Sequence, residues 1–290
     1  MTPASSVSPV ATPLAAPAIR RVIHRRQWGP WVFALVVLVG LALLINAAIQ
    51  AKVMNPAVFM EYLFSQLILA GAVNSLLLGT TAMVLASAVG LIAALMRVSG
   101  NPILTGISST YIYLFRGTPM LIQLIFWFNA FPIMFPQLYI AIPFTSWVLL
   151  DTQMTQVITP HMAALIGLSL AEGAYMAEII RGGFMAVDNG QRDAARAIGM
   201  SNGLLMRKVV IPQAARIIVP TAGNQYILLL KSTSLASAIG YLELLRISTD
   251  IYASNFHVVE LLAVAGFWYL VMTAFATAVQ TALEKIFPHR

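Results

Sequence analysis

Long apolar runs alternate with short polar segments along most of the chain. The run 31–49 is unbroken, and as a helix it is about 28 Å long, which matches the hydrocarbon core of a bilayer. Five further runs are predicted to form spans, with these approximate bounds: 66–96, 107–131, 162–180, 217–239 and 258–283. The pattern therefore predicts an all-α polytopic membrane protein with about six transmembrane helices.

The N-terminus is predicted to be a disordered, basic cytoplasmic tail over residues 1–30, because this stretch is rich in Pro, Ala and Ser and has no apolar period. The segment 31–51 is predicted to be an extra N-terminal membrane helix. A cleaved signal peptide is the alternative, since residues 46–51 resemble a small-residue cleavage site. The retained helix is favoured because the apolar run exceeds the ~7–15-residue core of a signal peptide.

Prolines interrupt the pattern in two places. Pro119, inside the third run, predicts a kinked or broken helix. The stretch 132–160 holds four prolines and no Lys or Arg, which favours an external loop with an interfacial segment. A second external loop, after the fifth span, is predicted to carry three charged residues: Glu243, Arg246 and Asp250.

Composition excludes a soluble globular domain. Of the 290 residues 59% are hydrophobic and 9% are charged, and the mean hydropathy is +0.83. The chain has no cysteine, which excludes a disulfide framework and a thiolate metal site. The net charge of +7 is typical of basic cytoplasmic loops in a membrane protein, and we expect no nucleic-acid partner.

The basic residues predict the orientation of the chain. With six spans and the N-terminus inside, Lys52 and Arg246 lie outside, Lys231 lies within a span, and every other Lys or Arg lies in the cytoplasm. Both termini are then cytoplasmic. The polar segment 182–216, between the fourth and fifth spans, is cytoplasmic as well.

This polar segment has its own predicted structure. The turn 188–190 precedes a short helix over 191–198, which Gly199 is placed to close in a left-handed conformation. A second short helix is predicted over 201–210, capped by its first residue, a serine. Pro212 then fits the first turn of the next span.

The first short helix combines small residues with charges. Its alanines leave a thin ridge that could enter a groove of another protein. An ordinary solvated loop is the alternative, and small residues also serve packing between helices. The residues concerned are the alanines 194, 195 and 197 and the charged Arg192, Asp193 and Arg196 of this helix, together with Arg207 and Lys208 of the second short helix.

The stretch 193–212 reads DAARAIGMSNGLLMRKVVIP and resembles the EAA loop of ABC-transporter permease subunits. The matching positions are Asp193, Ala194, Ala195, Gly199, Val209, Ile211 and Pro212. Asp193 departs from the family, which usually has Glu there, but it keeps the charge. Three flanking motifs are similar to those of polar amino acid importers: YLFRGTPMLIQL at 113–124, GAYMAEIIRGGF at 173–184 and GNQYILLLKSTSL at 223–235.

The resemblance covers roughly residues 66–285 and implies a five-helix type I importer core, preceded here by the extra helix. It implies a bacterial cytoplasmic (inner) membrane location, with lipid around the spans. In the family a dimer of a cytoplasmic ABC ATPase docks on a coupling loop, which corresponds to residues 188–212. The residues implied in this coupling are Gly190, Arg192, Asp193, Ala194, Ala195, Arg196, Gly199, Arg207 and Pro212.

The resemblance also implies further partners. A second permease subunit, identical or different, would complete the pathway. A periplasmic or extracellular binding protein would deliver an amino acid. Hydrolysis of ATP would belong to the separate ATPase, which would hold Mg-ATP, and this chain would bind no cofactor.

Two ionisable residues are predicted inside the membrane, where charges are costly and often functional. Glu172 lies near mid-membrane, and Lys231 lies well inside the fifth span. They could pair with each other, or Lys231 could extend to the interface. The functional alternative is that they border the solute path together with three polar neighbours: Asn224, Gln225 and Ser232.

A nearby acid, Glu178, is predicted to form a local helix pair with Arg181.

The sequence shows no catalytic constellation. It has no G-x-x-x-x-G-K-[ST] loop, and its four histidines lack metal-ligand spacing. Transport energy would therefore come from an ion gradient or from a partner. Two alternatives to the ABC permease stay open: a secondary transporter, although no internal repeat is visible, and a membrane scaffold that does not transport.

Overall fold

The computed structural model describes residues 28–51, 53–144 and 147–286. Residues 1–27 of the predicted tail and the predicted external Lys52 lie outside the described residues. The chain divides into two units, 1–52 and 53–290. Helix α1 (Gly29–Gln50) belongs to the first unit and covers the predicted extra helix. Its role as a membrane anchor stays a prediction.

The second unit is built mainly from helices. Its first half contains α2 (Pro56–Leu63), α3 (Gln66–Val98), α4 (Pro102–Gly117), α5 (Met120–Ile125), α6 (Phe131–Met134), β1 (Gln137–Ala141), β2 (Val148–Gln153) and α7 (Met154–Val157). Its second half contains α8 (Pro160–Met185), α9 (Asn189–Ala197), α10 (Asn202–Leu205), α11 (Ile211–Ser232), α12 (Leu244–Asn255) and α13 (Val258–Ile286).

Five spans can be assigned within this unit. Helices α3, α8 and α13 are each long and apolar enough to cross a membrane. Two bent pairs qualify if each counts as one span: α4 with the stretch 120–134, and 202–239 with α12. The predicted polytopic α-helical fold is confirmed. The five apolar runs predicted after residue 53 correspond to these five spans.

The predicted break at Pro119 is a sharp corner, so the predicted span 107–131 consists of two helices that meet at 105°. Proline has no N–H and cannot continue the hydrogen bonds of α4. The side-chain amide nitrogen of Gln123 supplies the missing donor. It donates to the carbonyl oxygens of Phe115 at 2.9 Å and of Thr118 at 3.1 Å. The exposed corner is thus capped by the buried side chain of Gln123.

The predicted external loop contains a two-stranded hairpin. Strands β1 and β2 pair antiparallel, with Gln137 opposite Gln153 and Tyr139 opposite Asp151. Residues 137–141 read QLYIA, and aromatic and β-branched residues favour strands over helices. Pro143 would interrupt a helix that ran on past this stretch.

Helices α3 and α8 cross at glycines. A Cβ on Gly90 would lie 2.5 Å from the Cβ of Met176 and 2.9 Å from the carbonyl oxygen of Gly173. Gly173 in turn faces Val89 and the hydroxyl of Tyr111. The two backbones therefore approach as closely as the absence of side chains allows, which is a common packing mode of membrane helices.

The second predicted short helix does not end before Pro212. A π-helical segment, Met206–Val210, joins α10 directly to α11. The Ile211 N–H donates to the carbonyl of Met206, five residues back. Because a proline clashes with the carbonyl four residues earlier, the wider turn lets the helix run on through Pro212. The segment Phe126–Ala130 has the same relation to Pro132.

The predicted polar loop with Glu243 is largely helical, and Glu243 is buried. Its carboxylate caps α12 by accepting from the backbone N–H of Arg246 at 2.7 Å and of Leu245 at 2.9 Å. The Tyr269 hydroxyl donates to it at 2.6 Å and the Ser75 hydroxyl at 3.4 Å. The carboxylate thus joins α12 to α3 and α13, while Arg246 pairs with Asp250 on the exposed side.

Candidate coupling surface and intramembrane acid

Helix α9 has the closing turn that the sequence predicts. Gly199 has a φ of +79°. Its N–H donates to the carbonyl of Arg196 at 2.9 Å, and the Met200 N–H donates to the carbonyl of Ala195 at 3.1 Å. This pair of bonds is a Schellman motif. No atom lies within 4 Å of a Cβ built on Gly199, so its backbone conformation alone favours glycine.

Ala195 is not on the outer surface, which corrects its predicted place on a docking ridge. Its side chain is 5% exposed and belongs to a buried cluster with Phe184, Leu205 and Ala214. The small side chain lets α9 press against the chain's own core at the end of α8. A contact between Ala195 and a partner stays a prediction.

The exposed apolar part of α9 lies at its C-terminal end. Ala194 and Ala197 are exposed, and Ile198 is 79% exposed. We call these three residues the coupling face. Sequence reasoning did not single out Ile198, although an isolated branched apolar residue at the end of a polar helix is a recognisable signal.

Arg192 attaches α9 to α8. Its guanidinium donates to the backbone carbonyl of Phe184, so this predicted coupling residue is engaged within the chain. Asp193 and Arg196 form an exposed pair at 3.4 Å, which contributes little to stability. The exposed residues among those predicted for coupling are Gly190, Asp193, Ala194, Arg196, Gly199, Arg207 and Pro212.

Glu172 is buried in the middle of α8. Its side chain is 2% exposed, and its Oε1 has no hydrogen-bond partner among the described residues. The nearby Tyr111 hydroxyl donates instead to the carbonyl of Leu170, at 2.6 Å. A buried carboxylate with an unsatisfied oxygen is unfavourable unless a cation or donor joins it.

Of the other predicted path residues, Gln225 interacts with the Glu172 carboxylate through its side chain, but none forms an ion pair with it. Within the described chain Lys231 has no carboxylate within 4.0 Å, so its predicted pairing with Glu172 is not formed. Asn224 and Lys231 are exposed, and Gln225 is half-buried. The Ser232 hydroxyl donates to the carbonyl of Leu228 on its own helix, at 3.1 Å.

A cavity of about 950 Å³ lies between α3, α8, α11 and α13. Its wall is almost entirely apolar, and the five predicted path residues are not part of it. The polar side chains on the wall are those of Thr80, Ser87, Tyr226 and Gln280. Thr80 and Tyr226 satisfy each other, with their hydroxyls 3.0 Å apart. Among the described residues no group of His, Cys, Asp or Glu could hold a metal ion.

The predicted pair of Glu178 and Arg181 is confirmed. The guanidinium of Arg181 lies 2.6 Å from one carboxylate oxygen of Glu178, and that of Arg97 lies 3.9 Å from the other. These residues lie where α8 approaches residues 188–212, the predicted coupling loop, which we call the coupling segment. They therefore link α3 and α8 at this end of the bundle.

Several known proteins are similar to this chain. The arginine transport system permease protein ArgU of Corynebacterium glutamicum is 40% identical over 263 residues, which are 90% of this chain and 81% of that protein. The octopine transport system permease protein OccM of Rhizobium meliloti is 36% identical over 77% of this chain and 87% of its own length. The glutamine transport system permease protein GlnP of Escherichia coli is 32% identical, with 68% and 82% covered.

Solved structures show the same fold. An amino acid ABC transporter crystallised with histidines superposes with a TM-score of 0.65 and 32% identity, over 76% of this chain and 93% of that chain. An inward-facing MetNI methionine ABC transporter superposes with a TM-score of 0.59 over 79% and 98%. Its identity is 17%, so this second likeness concerns the fold alone.

The family model for binding-protein-dependent transport system inner membrane components matches residues 86–287, a range that contains α8, the coupling segment, α11 and α13. With the relatives and the shared fold, this match shows that the chain belongs to this family of ABC-transporter permease subunits and has the type I importer fold.

Proposed function

We propose that this chain is the transmembrane permease subunit of an ATP-driven importer of polar or charged amino acids. Relatives named for arginine, octopine and glutamine transport support the substrate class. The observation that carries the ATP-driven mechanism is the coupling face, an apolar, exposed helix end held rigidly on the bundle. Such a surface suits a groove in a cytoplasmic partner.

The partner is a dimer of ABC ATPase subunits, whose closure swings the bundle between inward-facing and outward-facing states. The permease itself does no chemistry. Hydrolysis and Mg-ATP belong to the ATPase, and the permease holds no cofactor. A second permease subunit, identical or different, completes the pathway. A soluble amino-acid-binding protein delivers substrate from outside.

Glu172 favours a cationic group on the substrate. Its carboxylate is buried with an oxygen that no described residue satisfies. An ammonium or guanidinium group would supply both charge and hydrogen bonds there. We expect Glu172→Gln to keep the shape of the site and to weaken transport of cationic amino acids at unchanged permease level. If uptake of every amino acid tested is unchanged, Glu172 does not bind the substrate. The substrate site then lies elsewhere, and the remaining candidates are the predicted Asn224, Gln225, Lys231 and Ser232.

The protein lies in a bacterial cytoplasmic membrane with both termini inside. Topology reporters fused after Asn55, Leu150 and Asp250 should report outside, and those after Gly100, Ala195 and Arg290 should report inside. An inside signal after Leu150 contradicts this arrangement. Cleavage near Ala51 would instead favour the signal peptide and leave five spans.

Reconstituted vesicles test the whole proposal. The permease is co-expressed with an amino acid ABC ATPase and a binding protein from the same organism, and uptake of radiolabelled arginine and glutamine is measured. We expect uptake to need ATP and the binding protein. Uptake driven by an ion gradient alone would support a secondary transporter, and a bound ATPase without any uptake would support a scaffold.

Variants of the coupling face separate docking from folding. Ile198→Asp places a charge on the exposed apolar end, so the permease should accumulate normally but lose the ATPase and ATP-dependent uptake. Ile198→Leu is the matched control and should keep both. Ala195→Glu buries a charge inside the chain and should lower the level of the permease itself. If Ile198→Asp retains ATPase and uptake, the coupling face is not the contact.

A further inference from the structure

Three arginines from three helices surround a single carboxylate at the end of the bundle near the coupling segment. Arg97 of α3 and Arg181 of α8 contact Glu178 at 3.9 and 2.6 Å. Arg116 of α4 lies over the ring of Tyr175, one turn before Glu178, with its guanidinium carbon 5.1 Å from the ring centroid. We call Arg97, Arg116 and Arg181 the arginine cluster.

The arginine cluster has more positive charge than the chain neutralises. Within the described residues Glu178 is the one carboxylate within 4.0 Å of Arg97 or Arg181, and Arg116 has none. The cluster with Glu178 thus carries a net charge of about +2, since arginine stays protonated. An unneutralised pair of cations at this site favours an anion.

Contacts within the chain position all three guanidinium groups; those of Arg97 and Arg181 are partly buried, and Arg116 is exposed. The side chains of Arg97 and Arg181 are 32% and 28% exposed, so water and salt screen their charges less than those of a fully exposed arginine. Arg97 also donates to the hydroxyl of Ser109 on α4, at 2.9 Å. The Tyr175 ring supports Arg116 from one side. Fixed guanidinium groups are well suited to phosphate oxygens, which they contact in pairs.

Apolar surface adjoins these charges on α4. This helix buries Ser108 and Ile112 on one face, while Ile107, Tyr113 and Leu114 are 55%, 78% and 51% exposed. Arg116 and Ser109 belong to the same helix. A site that joins surplus positive charge to an exposed apolar helix face fits a molecule with an anionic head and hydrocarbon chains.

We propose that the arginine cluster binds the phosphate of an anionic phospholipid, whose acyl chains lie along α4. Bound there, the lipid neutralises the surplus charge and joins α3, α4 and α8 directly beside the coupling segment. The proposal needs the chain to be a membrane protein, but it does not depend on which solute it transports. A failure of the uptake experiments would leave it unaffected.

The test uses the full chain in nanodiscs of phosphatidylcholine, with or without added phosphatidylglycerol. Lipid retention is measured by native mass spectrometry, and thermal stability is measured in parallel. The wild type should retain phosphatidylglycerol in preference to phosphatidylcholine and should melt at a higher temperature with it. Arg116→Gln should weaken retention of phosphatidylglycerol about tenfold, which corresponds to the loss of one charge-assisted hydrogen bond to phosphate.

Arg246→Gln is the matched control, because Arg246 lies on α12 and already pairs with Asp250 at 3.0 Å. It should retain phosphatidylglycerol like the wild type. Equal retention of both lipids by the wild type would overturn the proposal, even if Arg116→Gln failed to fold. Equal losses in both variants would also overturn it. If inorganic phosphate raised the melting temperature as much as phosphatidylglycerol does, the site would bind a free anion and not a lipid.

Discussion

Gly90→Ala tests whether the crossing of α3 and α8 supports the bundle. The new Cβ would lie 2.5 Å from the Cβ of Met176 and 2.9 Å from the backbone nitrogen of Ala177. Ordinary carbon–carbon contacts are about 3.5–4.0 Å, so the helices must separate by roughly 1 Å. None of these neighbours is the flexible end of a side chain, and the strain therefore falls on both helices.

The expected cost follows from two opposing effects. Overpacking costs about 1–3 kcal/mol, and a crossing made by backbone belongs at the upper end of this range. Replacing a helical glycine by alanine returns up to about 1 kcal/mol. We therefore expect a net loss of about 2 kcal/mol, which for a chain of this size lowers the melting temperature by roughly 4–8 °C.

The assay is thermal unfolding in detergent, followed by the fraction of monodisperse protein that survives heating. Gly266→Ala is the matched control, because Gly266 is also inside a helix and no atom lies within 4 Å of a Cβ built there. It should melt at or slightly above the wild-type temperature. If both variants melt alike, the glycine crossing does not determine stability and the reasoning is wrong.

Three further changes test other contacts by the same melting assay. Glu243→Ala removes the cap of α12 and the acceptor of the buried Tyr269 hydroxyl, so we expect a loss of about 2–4 kcal/mol, whereas the exposed Glu61→Ala should change little. Gln123→Leu leaves the carbonyls at the Pro119 corner without their donor and should cost about 1–3 kcal/mol. Gly199→Val should cost roughly 1–2 kcal/mol through its left-handed backbone, and ATPase binding should weaken in a pull-down because the end of α9 shifts.

Local chemistry predicts the parts of this fold that depend on neighbours in sequence. Apolar runs mark the helices, Pro119 marks the corner, and Gly199 marks a left-handed turn, since each signal acts within a few residues. Glu243 shows the limit. A charged residue after an apolar span resembles a loop, but its partners Tyr269 and Ser75 are 26 and 168 residues away. Its burial therefore depends on tertiary packing.

The coupling segment shows the same limit. Small size suits Ala195 to a partner's groove and to the chain's own core equally well, and only the position of α9 against Phe184 and Ala214 decides between them. Resemblance to a family identifies such a loop without identifying its outer face. Ile198 emerges as the exposed residue once that face is known.

Helix α10, the π-helical segment and α11 follow one another without a break at Pro212, and Pro220 lies inside α11. From Asn202 to Ser232 this stretch is about 46 Å long by its helical rise, and its hydrogen bonds continue past Pro212. A break in the helix at Pro212 would absorb a rotation, whereas a helix that continues past Pro212 can transmit it. A tilt of about 5° at the α10 end moves the far end by about 4 Å, given that length. If the proposed ATPase tilts the α10 end beside the coupling face, the far end of this helix would therefore move by about the length of a side chain.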